Sequence, residues 1–184
     1  MDFDLRLCKN RGGFTWVELV VGMLVSSIIL LFAGSMMFSA NGFFLNTANR
    51  NEAKQLGDTI FSYIKEELIY ATDMQLFADQ ADAAGNVIGD RSITVRDGKL
   101  YAMDSPVYED DFYHGRTIKL TASVHIMCEL DLSVSVLDGD GTEVYKTSST
   151  INILNMQLKQ QEIIAFSGVG DNPYITYNEQ GEKP

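Results

Sequence analysis

Apolar residues are laid along this chain in three different patterns. From Phe14 to Phe38 they run almost unbroken, and Glu18 is the one charge in the stretch. From Asn41 to Ala71 they thin to a stripe at helical spacing: Leu45, Ala48, Leu56, Ile60, Tyr63, Ile64, Leu68 and Ala71. Glu52, Lys54, Asp58, Lys65 and Glu66 fall mostly off that stripe. From Ile118 to Val136 the apolar residues alternate strictly, through Leu120, Ala122, Val124, Ile126, Cys128, Leu130, Leu132 and Val134.

No proline occurs before Pro106, so nothing interrupts the first two patterns. They predict one helix from about Phe14 to about Thr72, roughly 85 Å long at 1.5 Å per residue. Its first half is apolar all round and its second half on one side only, as a helix that packs against a sheet requires. The alternating segment predicts a half-buried strand. It is too long for one strand of the usual 3–10 residues, so a bend, bulge or break is expected near Met127–Asp131.

Shorter signals fill in the rest. Asp97-Gly98 between Ser92–Arg96 and Lys99–Met103 predicts a hairpin. Asp73–Asp90 reads as loop, with possible short strands at Met74–Phe77 and Val87–Ile88. Asp104–Gly115, which holds Pro106 and the acidic trio Glu109, Asp110 and Asp111, reads as an exposed loop. Asp138-Gly139-Asp140-Gly141 reads as a turn, Thr142–Leu158 as a return strand, and Ile163–Phe166 and Tyr174–Tyr177 as short edge strands. The fold class expected is α+β, a long N-terminal helix on an antiparallel sheet.

The N-terminal stretch carries the chemistry. About twenty apolar residues span a bilayer. Arg6, Lys9 and Arg11 precede the run and no basic residue follows until Arg50. The positive-inside rule then keeps the N-terminus cytoplasmic and exports the rest. A secretory signal peptide cut near Ala33-Gly34-Ser35 is one rival, but its apolar core is usually only 7–15 residues. A plain single-span anchor is another. It does not account for Glu18, because a carboxylate within a span costs about 2.5–3.5 kcal/mol on insertion scales. A soluble core helix is a third, and the run is too long and too apolar for it.

The segment Arg11-Gly12-Gly13-Phe14-Thr15-Trp16-Val17-Glu18-Leu19 resembles the processing site of type IV prepilins. The resemblance covers residues 6–72 well and the remainder only in architecture. It implies a leader 1–13, cleavage between Gly13 and Phe14 by a membrane-embedded prepilin peptidase, and methylation of the new amine of Phe14. It also implies that Glu18 pairs with the N-terminal amine of a neighbouring subunit and sets axial register during assembly. The division expected is therefore 1–13 leader, 14–40 transmembrane and filament-core helix, and 41–184 second half of the helix with a globular sheet domain. Shaft-forming members often carry proline where this chain has Ser35, and that departure favours a minor pilin or pseudopilin. Ala33-Gly34-Ser35 and Gly42 still leave room for local melting, since glycine weakens a helix by about 1 kcal/mol relative to alanine.

Charge and composition narrow the alternatives. A formal net charge of −11 does not suit a surface that neutralises phosphates, so no direct nucleic-acid partner is expected. Cys8 would leave with the leader, and Cys128, within the alternating segment, reads as a buried small hydrophobe. His114 and His125 are isolated in the sequence, and no spacing suggests a catalytic triad or a zinc site. Asp138, Asp140 and Glu143 are the weak candidates for calcium, although a turn explains the first two and the ligand series of an EF-hand is missing. The expectation is thus a structural filament subunit, not an enzyme, with no cofactor. Its expected partners are other pilin or pseudopilin subunits, prepilin peptidase, an inner-membrane platform protein, an assembly ATPase, and membrane lipid before assembly. The alternative is a membrane-anchored extracellular binding domain that never polymerises.

Overall fold

A computed structural model describes residues 15–83, 89–166 and 169–179. The expected leader, Gly13, Phe14 and the possible strand at Val87–Ile88 lie outside these residues. The chain divides into two compact units, 1–47 and 48–184.

Helix α1 (Trp16–Leu68) runs from one unit into the other. In the first unit no described residue is buried. The helix is long and apolar enough to cross a membrane. It is continuous through Ala33, Gly34, Ser35 and Gly42, so the glycines do not melt it. The Ser35 hydroxyl donates to the carbonyl of Phe32 (2.8 Å), Ser27 to Leu24 (2.7 Å) and Thr47 to Phe43 (2.8 Å). These three hydroxyls are thereby satisfied within the helix itself, the arrangement that lipid demands.

In the second unit α1 ends at Leu68, four residues short of the expected Thr72. Ala71 belongs instead to strand β1 (Ala71–Phe77). It is fully buried, and burial alone could not tell the last position of a helical stripe from the first of a strand. The possible strand at Met74–Phe77 is present as the C-terminal part of β1, and the rest of the Asp73–Asp90 region, read as loop, includes a short helix, α2 (Gln80–Ala83).

The sheet is not one but two. β2 (Arg91–Arg96) and β3 (Lys99–Ala102) form the expected hairpin about Asp97-Gly98. They join β4 (Ser105–Pro106), β8 (Ile164–Ala165) and β9 (Tyr174–Glu179) in a six-stranded sheet ordered β4-β3-β2-β9-β1-β8. Its one parallel pair is β1 with β8. The expected edge strand at Tyr174–Tyr177 is central, hydrogen-bonded on both sides and buried over four successive residues. Such an unbroken buried run lacks the alternation that marks a half-exposed strand.

The long alternating segment resolves into a hairpin, β5 (Thr117–Ile126) and β6 (Glu129–Leu137), with residues 127 and 128 as the turn. Two turn residues preserve the parity of the alternation, which hid the reversal. Ile126 is exposed and Cys128, at the turn, is only partly buried. With β7 (Glu143–Asn152) these strands form a three-stranded antiparallel sheet. The expected return strand to Leu158 stops at Asn152, and helix α3 (Leu154–Lys159) replaces its end. The acidic trio at 109–111 is exposed as expected, but Tyr113 in the same segment is buried and its hydroxyl accepts from the Leu100 amide (2.8 Å).

One core joins both sheets to the helix. Leu56, Ile60, Ile64 and Leu68 of α1 form a single buried cluster with Met74, Ile93, Leu100, Leu120, Leu132 and Val134. Truncating one such side chain to alanine costs about 2–5 kcal/mol. Polar ties fasten the helix at both ends of this stripe. Arg116, itself buried, reaches Glu52 (3.2 Å). Near the other end Glu67 accepts from the Tyr177 hydroxyl (2.9 Å) and Arg91 (3.2 Å), and Arg91 also meets Glu179 (3.0 Å). Burial, and next the charge of Glu67, raises the Tyr177 hydroxyl well above its ordinary pKa.

Gly57 sets the closest approach of helix to sheet. A Cβ there would lie 2.9 Å from the Tyr145 ring and 3.1 Å from Val136. The Tyr145 hydroxyl beside it donates to Asp58 (2.8 Å). Gly57→Val should therefore force the helix off β7 and lower stability by about 1–3 kcal/mol, the usual range for overpacking. Thermal unfolding of the variant checks this. An unchanged Tm would show that the contact is looser than described.

Candidate functional site

The first turn of α1 is held by a reciprocal set of bonds between Thr15 and Glu18. The Glu18 amide donates to the Thr15 hydroxyl (3.3 Å), and the Thr15 amide donates to Oε2 of Glu18 (2.9 Å). The Thr15 hydroxyl also donates to Oε2 (2.8 Å). The first helical bond follows, from the Leu19 amide to the Thr15 carbonyl (3.2 Å). This is a capping box: the first amides of any helix lack partners within it, and a threonine with a glutamate three residues on supplies them. The negative charge also lies at the positive end of the helix dipole. Sequence reasoning singled out Glu18 but missed Thr15. The signal was present, a Thr-x-x-Glu directly before an apolar run.

The expected cleavage residues Gly13 and Phe14 lie outside the described residues. Glu18 shares a face of α1 with Gly22 and Ser26, four and eight residues on, and this face is a shallow concavity flanked by Leu19, Met23 and Leu30. Nothing lies within 4 Å of where a Gly22 Cβ would stand. Small residues four apart are what allow one membrane helix to approach another closely. The carboxylate therefore stands at the end of a strip that a second helix can reach.

The calcium candidates do not converge. Asp140 accepts from the Thr142 amide (2.9 Å), which holds its carboxyl below the usual range. The Asp138 amide donates to the Thr142 carbonyl (2.9 Å), closing the turn, and Glu143 opens β7. No group of three or more His, Cys, Asp or Glu side chains among the described residues is placed to hold a metal.

His125, isolated in the sequence, is not isolated in space. The β5–β6 hairpin brings it 3.0 Å from Asp131, whose other oxygen accepts from the Thr150 hydroxyl (2.6 Å). The histidine and the threonine hydroxyl thus meet different oxygens of one carboxylate, and the histidine is not placed to take a proton from the threonine. The arrangement fastens β5, β6 and β7 together and is not a nucleophile with its base.

The fold and the N-terminal helix define a class: an α+β protein with one helix able to cross a membrane, of the kind a single-pass anchor uses. Comparison with protein-family models, curated proteins and solved structures gives no match.

Two outcomes follow. Removing an N-cap costs typically about 1 kcal/mol, so Thr15→Val should speed amide exchange in the first turn of α1 several-fold in micelles and leave the second unit unaffected. No change in exchange would mean that the cap does not form. For Asp131, the Thr150 bond and then His125 hold the carboxyl below its usual pKa. Its contribution to stability is thus present above the ordinary carboxylate pKa of about 3.9 and lost as pH falls through the lowered value. The Tm difference between the natural chain and Asp131→Asn should hold steady above about pH 5 and close as the pH falls below about 4. A gap indifferent to pH would leave only packing.

Proposed function

We propose that this chain is a structural subunit of a type IV pilus or of a type II secretion-like filament, a minor pilin or pseudopilin. The observation that carries the proposal is the composite at the N-terminus. A basic segment ends in Gly13, Phe14 follows it, and Glu18 stands at the start of an unbroken apolar helix. The second half of that helix supplies one face to an α+β domain.

On this reading prepilin peptidase hydrolyses the Gly13–Phe14 amide on the cytoplasmic face and leaves the apolar helix in place. The new ammonium of Phe14 is then methylated. An ammonium and a carboxylate are each costly in an apolar bundle and far less so as a pair. Glu18 meets the amine of a neighbouring subunit, approached along the Gly22–Ser26 strip. A platform protein and an assembly ATPase extract the subunit from lipid, and the 48–184 unit makes the outward contacts with other subunits.

The capping box favours a second reading. It gives the Glu18 carboxylate a local partner, so a plain anchor carrying an extracellular binding domain no longer leaves that charge unexplained. The two readings separate at the N-terminus. In membranes of cells carrying the peptidase, mass spectrometry should find a peptide beginning at Phe14 with a methylated amine. Glu18→Ala should be processed normally yet fail to appear in sheared filaments. An intact Met1 together with normal function of Glu18→Ala would establish the anchored domain instead, and a start near Ser35 would mean an ordinary secreted protein.

A further inference from the structure

The two sheets of the 48–184 unit present four edges, and three of them are closed. At one edge of the six-stranded sheet, β4 is two residues long and includes Pro106, which has no amide hydrogen to offer. At the other, β8 is also two residues long. In the three-stranded sheet the β5 edge is strapped. Ile118 donates to the Gly98 carbonyl (2.8 Å), Leu120 donates to the Asn172 side chain (2.8 Å), and Asn172 donates back to the Leu120 carbonyl (2.6 Å). A register irregularity between Val124 and Ile126 disturbs the rest of it. These are the ordinary means of keeping a sheet from pairing with another chain.

The fourth edge has no strap and no proline, and its protection is limited to one bulge near its start and one lysine, Lys146. β7 is ten residues long, contains no proline or glycine, and pairs only with β6 among the described residues. Lys146 and Ser148, Ser149 and Thr150 are exposed. Val144 is a bulge against β6, and the strand is regular from Tyr145 onward. Such an edge is a template for one more strand.

We propose that β7 pairs with β7 of a second copy, antiparallel and centred on Ser148, so that the two three-stranded sheets become one of six. A second copy has no other open edge to offer, because its remaining edges are closed in the same way. The faces of the strand restrict the register to pairings of residues of like parity, and the side-chain pairs select among these. Tyr145, Thr147, Ser149 and Ile151 stand opposite the buried residues Val136, Val134, Leu132 and Leu130 of β6, on the core side. A two-fold axis normal to the sheet keeps core side with core side, and this requires residues of like parity to face each other. Centring on Ser148 sets Tyr145 opposite Ile151, Thr147 opposite Ser149, Lys146 opposite Thr150, and Ser148 opposite itself. Tyr145–Ile151 is an aromatic with a β-branched residue, a favourable cross-strand pair, and no like charges oppose each other. The strand carries one acid, Glu143, and one base, Lys146, in a chain of net charge −11. Copies that repel elsewhere can meet here without charge conflict. A two-fold contact closes on itself and does not propagate, so this dimer is a state of the chain apart from any filament and does not rest on the filament reading.

Cross-linking tests it directly, because membrane helices that dimerise by themselves would confuse a simple mass measurement. The full chain in detergent micelles, with Cys8→Ser and Cys128→Ala, receives Ser148→Cys on β7 or, as control, Ser123→Cys on β5. No peptidase is present, so the outcome is separate from processing and assembly. Directly opposed residues of an antiparallel pair lie within the Cα separation that a disulfide needs. Mild oxidation should convert most Ser148→Cys chains to a disulfide dimer and leave Ser123→Cys monomeric. Equal coupling at both positions would mean random collision and would overturn the proposal. So would no coupling at Ser148→Cys in a chain whose circular dichroism matches the parent, or coupling that appears only after cell extract supplies another protein to β7. If Ser148→Cys misfolds, Ser149→Cys paired with Thr147→Cys in a mixture of the two variants reads the same register, and its failure would sink the idea equally.

Discussion

A single helix face closes two sheets, and the 48–184 unit is arranged around that requirement. Leu56, Ile60, Ile64 and Leu68 lie on one line of α1, and the interior surfaces of both sheets converge on it. Neither sheet could bury its apolar face alone, since the second has only three strands and small sheets are marginal without a covering layer. Gly57, one position from the line, lets the Tyr145 ring come within van der Waals distance of the helix backbone. Arg116 with Glu52, and Arg91 with Glu67 and Glu179, then tie the two ends. These pairs fix how the helix is rotated over the sheets more than they add stability, because removing such charges from water offsets much of their attraction.

What could be read from the sequence follows from which signals are local. The helix, the Asp97-Gly98 hairpin and the turn at 138–141 are written in spacing and in turn residues, and they are found where expected. The reversal at residues 127 and 128 was invisible because a two-residue turn keeps the parity of an alternating pattern. Tyr174–Glu179 lies centrally, between β1 and β2, a choice fixed by partners 82 to 108 residues away and marked by no local residue. The bond from Thr150 to Asp131 and the approach of His125 are likewise products of strand register. At the N-terminus the capping box could be read in full from Thr15 and Glu18, and attention to the charge of Glu18 concealed its hydrogen-bonding role.

That role changes how Glu18 should be understood. A lone carboxylate in an apolar stretch demands an external partner. A carboxylate that already accepts from an amide and a hydroxyl demands less, because those bonds and the helix dipole stabilise the ionised form. On the filament reading proposed above, the capping box makes the charge tolerable in a subunit that rests in lipid with no neighbour. Both bonds go to Oε2, and an approaching ammonium can be met through Oε1 without uncapping the helix. Storage in lipid and pairing with a neighbour then become compatible uses of one side chain, which a bare carboxylate would not permit.

The same helix has to satisfy two surroundings in succession, and its composition changes where they meet. From Phe14 to Phe38 the chain is almost unbroken apolar sequence, and from Ala53 onward apolar residues are buried on one side only. Between them Asn46, Thr47, Asn49, Arg50, Asn51 and Glu52 form a polar collar of about two turns, and the division between the units falls within it. Arg116 reaches the Asn49 carbonyl (3.5 Å) and Glu52 (3.2 Å) at the C-terminal side of the collar, and ahead of these contacts the helix relies on its own backbone bonds and on the nucleation already supplied from both flanks. Asparagine and threonine are modest helix formers, so the part of the collar ahead of the Arg116 contacts adds little of its own to the helix. On the filament reading proposed above, a chain that leaves lipid while its folded unit stays intact is best served by a weak helical turn there, between the span and the core and inside neither.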